Sequence, residues 1–414
     1  MPWNLSGPIS PRREGTRLDV CGIIAEFDPF HLGHLHLFEE ARRLTGCDRV
    51  VCVLSSAFLQ RGTPGLFSVR DRTRMALAAG ADAVFALPVS FSCATADQFA
   101  LGGVAVLQAL GVVTSQAFGC ENAGDLPLLC RAAECLNEEP GDFRDALRGR
   151  LQAGKSYPAA QAEALSVTRG IPAALLSAPN NVLAVAYLRQ QKRLGADFRP
   201  VAVQRLGRRN AADAEGGNGY PPSSALRKAL LDGDMDAVRA AVPAPCAGII
   251  EECAGAGRLC PPEALTQALM YRLMTTSPDE WARYAPHGEG LELRLEKALQ
   301  RHPATQAELL ALLKTRRYTH AALQRWLSHM LLGLRPDEQP DSPGCLRLLG
   351  FREDARPLIR RIADRAALPL VTKPARGRAW LETDARAELL WGLGAGHVQS
   401  LYEQSPVITG GQPS

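Results

Sequence analysis

No apolar run in this sequence reaches the roughly 18 residues that a membrane-spanning helix needs, so no such span is expected. Charge of one sign is also scarce. Forty-seven Lys and Arg stand against 43 Asp and Glu, a net +4 over 414 residues, so no broad basic field announces a nucleic-acid partner. The excess is local: residues 231–414 carry 22 of each sign, and the whole surplus lies before them. None of the 11 cysteines forms a CxxC pair, and the evenly spaced Cys246, Cys253 and Cys260 have no histidines beside them. That pattern gives zinc no site, and the odd total argues against a secreted disulfide framework. A reducing cytoplasm is the expected compartment. Residues 1–17, rich in Pro, Arg, Ser and Gly, lack the apolar core of a signal peptide and are expected to be a disordered tail.

What is present is an alternation of strand-like and helix-like segments from Leu18 onward. Strands are expected at Val20–Ala25, Val50–Leu54, Ala83–Leu87, Ser115–Phe118 and Pro200–Gln204. Helices are expected at His34–Leu44, Arg70–Ala79, Thr95–Leu110, Asn180–Leu194 and Ser223–Leu231. This order implies an α/β fold, a doubly wound parallel sheet with its ligand at the carboxyl ends of the strands. Beyond Leu231 the strand signal fades. Helical patterns at Pro262–Met274, Leu291–Leu299, Ala307–Leu313, Ala321–Leu334 and Glu353–Ala367 suggest a mostly helical second domain over 232–414, after a first over 18–231.

The chemistry concentrates at Cys21-Gly-Ile-Ile-Ala-Glu-Phe-Asp-Pro-Phe-His-Leu-Gly-His34. A buried strand turning through glycine into a helix start builds an anion site, because backbone N–H groups and the helix dipole converge there. His31 and His34, three residues apart, face the same way and can donate to phosphate oxygens as imidazole or imidazolium. Gly33 has no Cβ to hold a nucleotide off. The plain alternative is a strand–helix corner with two surface histidines.

Four further segments are chemically loaded. Gln60-Arg61-Gly62 with Arg70, Arg72 and Arg74 suits phosphate recognition, although a solvated charge run has the same pattern. Asn180 and Asn181 open a helix, where one caps and the other is left for a ligand. Arg205 follows a strand, with Arg208 and Arg209 beside it. Ser223-Ser-Ala-Leu-Arg227 reads as a Ser-capped helix entrance with an arginine in its first turn.

Together, Gly22–His34, Phe58-Leu-Gln-Arg-Gly62, Phe118-Gly119, Pro179-Asn-Asn-Val-Leu183 and Ser223–Arg227 resemble the bacterial tRNA(Met) cytidine acetate ligases, within the HxGH nucleotidyltransferase superfamily. The likeness is in order from Leu18 to Leu231 and continues weakly to Pro369-Leu-Val-Thr-Lys373. It implies a two-step ligase: acetate and ATP give acetyl-adenylate, and the wobble cytidine of elongator tRNA(Met) then takes the acetyl group as N4-acetylcytidine. It implies catalytic roles for His31 and His34. ATP contacts would come from Ile24, Ala25, Glu26, Phe27, Asp28, Pro29, Phe30, His31, Leu32, Gly33, His34, Leu35, His36 and Leu37, with Gly119, Asn180 and Arg205. Asn181 and Arg227 follow as lesser contacts. Mg²⁺ is expected to travel with ATP, with Asp28 its one candidate protein ligand. Candidate RNA contacts are Arg316-Arg317-Tyr318, then Arg356, Arg360, Arg361 and Arg365, then Lys373, Arg376 and Arg378, each set equally a wet helix face.

The chain departs from the family where Asp28 replaces the usual Asn, Ser56 a glycine, and Val69-Arg70 a Lys-Trp pair. The competing activity is a metabolic adenylyltransferase that moves AMP onto a small phosphate. The length of the second half favours a macromolecular substrate instead.

Overall fold

The computed structural model describes residues 18–206, 220–284, 290–315 and 318–410. The tail 1–17, Arg208, Arg209, Arg316 and Arg317 lie outside the described residues, as does most of the glycine-rich loop before Tyr220.

Eight strands form one sheet in the order β5-β4-β1-β2-β3-β6-β7, with β8 also against β6. The first five are β1 (Val20–Ala25), β2 (Arg49–Ser55), β3 (Ala83–Leu87), β4 (Ser115–Cys120) and β5 (Arg199–Gln204), all mutually parallel. Their sequences are almost continuously apolar because both faces of a parallel sheet are covered. The chain winds β1-β2-β3 in one direction and then returns to place β4 and β5 on the other flank of β1. The crevice between the carboxyl ends of β1 and β4 is therefore the switch point, where doubly wound sheets hold ligands.

Helices cover both faces: α1 (Leu32–Thr45), α2 (Val69–Ala78), α3 (Ala96–Ala109), α4 (Leu126–Glu138), α5 (Gly141–Gln152), α6 (Tyr157–Arg169), α7 (Pro179–Leu194) and α8 (Ser223–Leu231). One face packs Phe38 of α1, Met75 of α2 and Leu226 of α8 against Cys21, Ile23 and Leu54. The opposite face packs α3 and α7 through Val104, Leu107 and Leu188 against Ile24, Val53 and Phe85.

Beyond Leu231 helices do dominate, including α9 (Ala244–Gly255), α10 (His320–Leu332), α11 (Arg356–Arg365) and α12 (Arg378–Gly394). The fading of strands expected there is corrected by β6 (Leu346–Arg352), β7 (Leu370–Val371) and β8 (Val407–Thr409), which extend the same sheet. β6 runs antiparallel to β3 and caps its open edge. Its sequence carries two arginines, which disguised it. Arg347 is buried against Glu388 at 2.6 Å, and Arg352 against Asp354 at 3.2 Å. Packing also crosses Leu231/Asp232: Val238, Ile250 and Trp391 share a core with Cys21 and Phe27. Among the described residues, the stretch from Leu269 to Met330 builds a helical core of its own, around Trp281, Leu295 and Trp326.

Candidate active site

The β1–α1 turn opens with Phe27, a bulky residue held at φ 50° in the left-handed region. Such a conformation costs about 1–3 kcal/mol and persists only where the surroundings enforce it. Here they do. The Phe27 ring is buried against Phe30 (4.8 Å between centroids), Phe38 (5.8 Å) and the edge of His34 (5.0 Å).

His31 is the N-cap of α1, and the two histidines cap the helix reciprocally. Nδ1 of His31 accepts from the Gly33 N–H at 3.0 Å, and Nδ1 of His34 accepts from the His31 N–H at 3.3 Å. This is a capping box with imidazoles in place of the usual hydroxyl and carboxylate. The rings stack with centroids 3.7 Å apart. With each Nδ1 acting as acceptor, the proton of each neutral ring must sit on Nε2. Neither Nε2 has a hydrogen-bond partner among the described residues. Burial, reinforced by the charges of Arg205 and Arg227, lowers the pKa of His31 to about 3. Burial, with His31 and Arg205 nearby, pushes His34 well below its ordinary value too. Burial and the acceptor role of both Nδ1 atoms thus favour neutral rings that carry Nε2–H donors.

One expectation about this turn needs correction. The backbone N–H groups of Gly33, His34 and Leu35 are all taken by His31, through its ring or its carbonyl oxygen at 2.8–3.1 Å. The anion donors at this helix start are thus the imidazole Nε2–H groups rather than those amides. Gly33 has a further reason to lack a Cβ. A Cβ there would lie 2.9 Å from Cε1 and 3.0 Å from Nδ1 of His31, so glycine is what admits the capping ring.

Asp28 turns away from the crevice. It is buried, and its two oxygens accept the N–H groups of Leu66 and Phe67 at 2.9 and 3.0 Å. Each oxygen is held by a core amide in a buried position, and no group of three or more metal-ligating side chains exists among the described residues. Asp28 therefore does not fit the Mg²⁺ ligand considered from the sequence. Any Mg²⁺ belongs with the nucleotide as part of the substrate. Of the remaining turn residues, Ile24, Pro29 and Phe30 are buried, and Ala25, Leu35 and Leu37 pack on the core. Leu32 is half-buried, and His36 Nε2 lies 3.1 Å from the Gln204 carbonyl oxygen of β5.

Gly119 lies on β4, where a Cβ would meet the Arg205 stem at 3.3 Å, so Arg205 crosses the β4 end closely and faces solvent. Asn180 donates to Glu121 at 2.8 Å, while buried Asn181 accepts from the Glu121 N–H and donates to the Leu175 carbonyl oxygen. Neither caps α7, whose N-cap is Ala178. Ser223 and Ser224 likewise do not cap α8: Pro222 is its N-cap, and no side chain closes that end. Arg227 reaches from α8 to donate to the Asp28 carbonyl oxygen at 2.7 Å. Tyr220, which no pattern singled out, stands 3.7 Å from the space beside Gly33.

The arginines after β2 divide: Arg61 and Arg70 are exposed, Arg74 is half-buried, and Arg72 is internal. Arg72 is wholly buried and donates to the carbonyl oxygens of Phe67 (3.2 Å), Glu26 (2.9 Å), Ser55 (3.0 Å) and Ser56 (2.6 Å). Arg70 donates to the Ser405 carbonyl oxygen, and Arg74 pairs with Asp71 and Glu252. Ser56, the residue in place of glycine, is matched by Asp384 of α12, which accepts its hydroxyl at 2.7 Å. In the candidate RNA sets, Arg356 is held by Glu353, while Lys373, Arg376 and Arg378 are exposed, the last 4.2 Å over the Tyr402 ring.

A switch-point crevice headed by a paired-histidine turn defines a class, and the chain belongs to it: the HIGH Nucleotidyl Transferase family model matches residues 18–406. Within that class its relatives are tRNA(Met) cytidine acetate ligases. It is 34% identical to the one from Acetivibrio thermocellus over 375 residues, 86% of this chain and 88% of that one. It is 35% identical to the one from Geobacillus sp. over 368 residues, 86% and 89% of the two chains. Its fold superposes with a TM-score of 0.87 and 26% identity on Thermotoga maritima TmcAL, in a crystal structure bound with alpha-thio ATP, covering 95% of this chain and 100% of that one.

Proposed function

We propose that this chain is an ATP-dependent tRNA(Met) cytidine acetate ligase. The observation that carries the reading is the stacked, neutral His31–His34 pair, two Nε2–H donors fixed at the sheet's switch point in a chain akin to such ligases over 86% of its length. An acetate oxygen attacks the α-phosphorus of ATP, and pyrophosphate leaves. The two donors meet the phosphate oxygens as charge develops there, already oriented by the capping box and by Phe27 and Phe30. Gly119, Asn180 and Arg205 face the nucleotide from β4, α7 and the end of β5. Asn181 and Arg227 hold Glu121 and the turn in place.

An exocyclic cytosine amine is a weak nucleophile, so the acyl carbon needs a leaving group as good as AMP. The amine of the wobble cytidine then displaces AMP and becomes N4-acetylcytidine. We assign recognition of elongator tRNA(Met) to residues 232–414, with exposed Lys373, Arg376 and Arg378 suited to backbone phosphates. No helix of the described residues is long and apolar enough to cross a membrane, and all 11 cysteines are free. A reducing cytoplasm, where tRNA is found, suits the reading.

Incubation with labelled acetate, ATP and bulk tRNA tests it. Label should enter cytidine in an ATP-dependent manner that acetyl-CoA does not replace. Incorporation that requires acetyl-CoA, or AMP appearing on a small phosphate acceptor, overturns the proposal.

A further inference from the structure

Acetyl transfer releases a proton from the cytidine amine, and most groups lining the crevice cannot take it. The histidines already carry protons on Nε2 and use Nδ1 for the backbone. Both oxygens of Asp28 are bonded to amides. Glu121 is engaged by Asn180. Glu26 differs. Its Oε1 accepts the Gln60 N–H at 2.7 Å, while Oε2 has no hydrogen-bond partner among the described residues.

Its position suits the task. Glu26 directly follows β1, with its own carbonyl oxygen pinned by Arg72 and its carboxylate turned toward the loop that follows β2. Gly119 and Arg205, the nucleotide side of the turn, lie on the opposite flank at β4 and β5. The amine adds to one face of the planar acyl carbon, so the base for its proton must stand beside that face, and Glu26 lies at the carboxyl end of β1 on the flank away from Gly119 and Arg205. The Gln60 loop there is itself fixed, by Gln60 to the Ala94 carbonyl oxygen and by Arg325 of α10 to Gln60.

We propose that Glu26 is the general base of the transfer step, resting on the ligase reading above. The cytidine N4 forms its bond to the acetyl carbon, and the bond from that carbon to the adenylate oxygen breaks. AMP leaves with the electron pair, and the N4 proton passes to Oε2 of Glu26. Burial raises the pKa of this carboxyl, which makes it a stronger base near neutrality, against the opposing charges of Arg227 and Arg72. The other titratable groups facing it are Asp28, Tyr187 of α7 and Cys93.

Glu26→Gln keeps an oxygen for the Gln60 N–H and removes only the proton acceptor. Because Glu26 also belongs to the turn expected to contact ATP, acetate-dependent exchange of pyrophosphate into ATP is measured alongside, and the loss in transfer is read relative to it. Single-turnover acetyl transfer to tRNA should fall by about 100-fold or more. Glu26→Asp should recover part of that loss. In the wild type, transfer should rise with pH through a carboxyl pKa, and Glu26→Gln should lose that limb. Equal losses in exchange and transfer, or unchanged transfer, overturn the assignment. If the amide variant fails to fold, the wild-type transfer profile decides, and a flat profile from about pH 4 to 7 overturns it. Absence of acetate-dependent exchange in the wild type would instead sink the ligase reading itself.

Discussion

Two strand-to-helix corners of the same sheet carry similar polar residues to opposite ends. At the β1–α1 corner, His31 and His34 spend one nitrogen each on the backbone and keep the other for a ligand. At the β2–α2 corner, Arg72 spends its guanidinium on four carbonyl oxygens and keeps nothing. We read the first corner as the proposed site and the second as its foundation, since two of those oxygens belong to Glu26 and Ser55, where β1 and β2 end. A basic side chain near a strand end therefore marks a phosphate site only when its donors remain unspent. Asp28 links the corners: it sits in the first and binds the N–H groups of Leu66 and Phe67 in the second.

The largest break in this contrast comes from the foundation. Arg72→Met should cost about 3–5 kcal/mol in urea unfolding, because four buried carbonyl oxygens lose their donor together. Adenylation should fall with it. His34→Ala should lower acetate-dependent pyrophosphate exchange by about 100- to 1,000-fold, as removal of one oriented donor does, while tRNA affinity stays nearly constant. Comparable loss of tRNA binding would make the histidine structural.

Gly33→Ala sharpens the comparison, since its Cβ displaces the His31 ring. Exchange should drop by about 10- to 100-fold with the fold intact. Acid exposes the cost of keeping His31 neutral. The unfolded chain takes up a proton below pH 6.5 that the folded state refuses until about 3. Stability should thus decline as pH falls through that window, and His31→Asn should flatten the slope in denaturant titrations. The smallest effect is expected from Asp28→Asn, which can accept only one of the two amides. About 1–2 kcal/mol of stability should go, with exchange within about threefold of wild type.

Much of this was legible in the residues. The five parallel strands read directly as short apolar runs, and His31-x-Gly33-His34 after the first marked the crevice. What escaped were residues whose meaning depends on distant partners. Arg72 looks like its neighbours Arg70 and Arg74 until the carbonyl oxygens from three separate segments converge on it. Arg347 broke the strand pattern of β6 because Glu388, which makes its burial tolerable, comes from 41 residues away. Ser56 appeared as a departure from a glycine because Asp384, more than 300 residues later, could not be seen to receive it. Tyr220 had no signal at all. The capping role of both imidazoles was also hidden, since spacing gives the face of a helix but not which ring nitrogen the backbone takes.

The antiparallel pairing of β6 with β3 bears on how the molecule is made. A ribosome delivers β3 some 260 residues before β6, so the edge of the nascent sheet stays bare through most of synthesis. Until Leu346–Arg352 emerges, the Asp384 and Trp391 contacts to Ser56 and Gly65 are also missing. A chain stopped at Leu231 would hold every histidine and asparagine of the crevice and still present a sticky flank. Guarding that flank during translation falls to chaperones or to the speed of the ribosome itself.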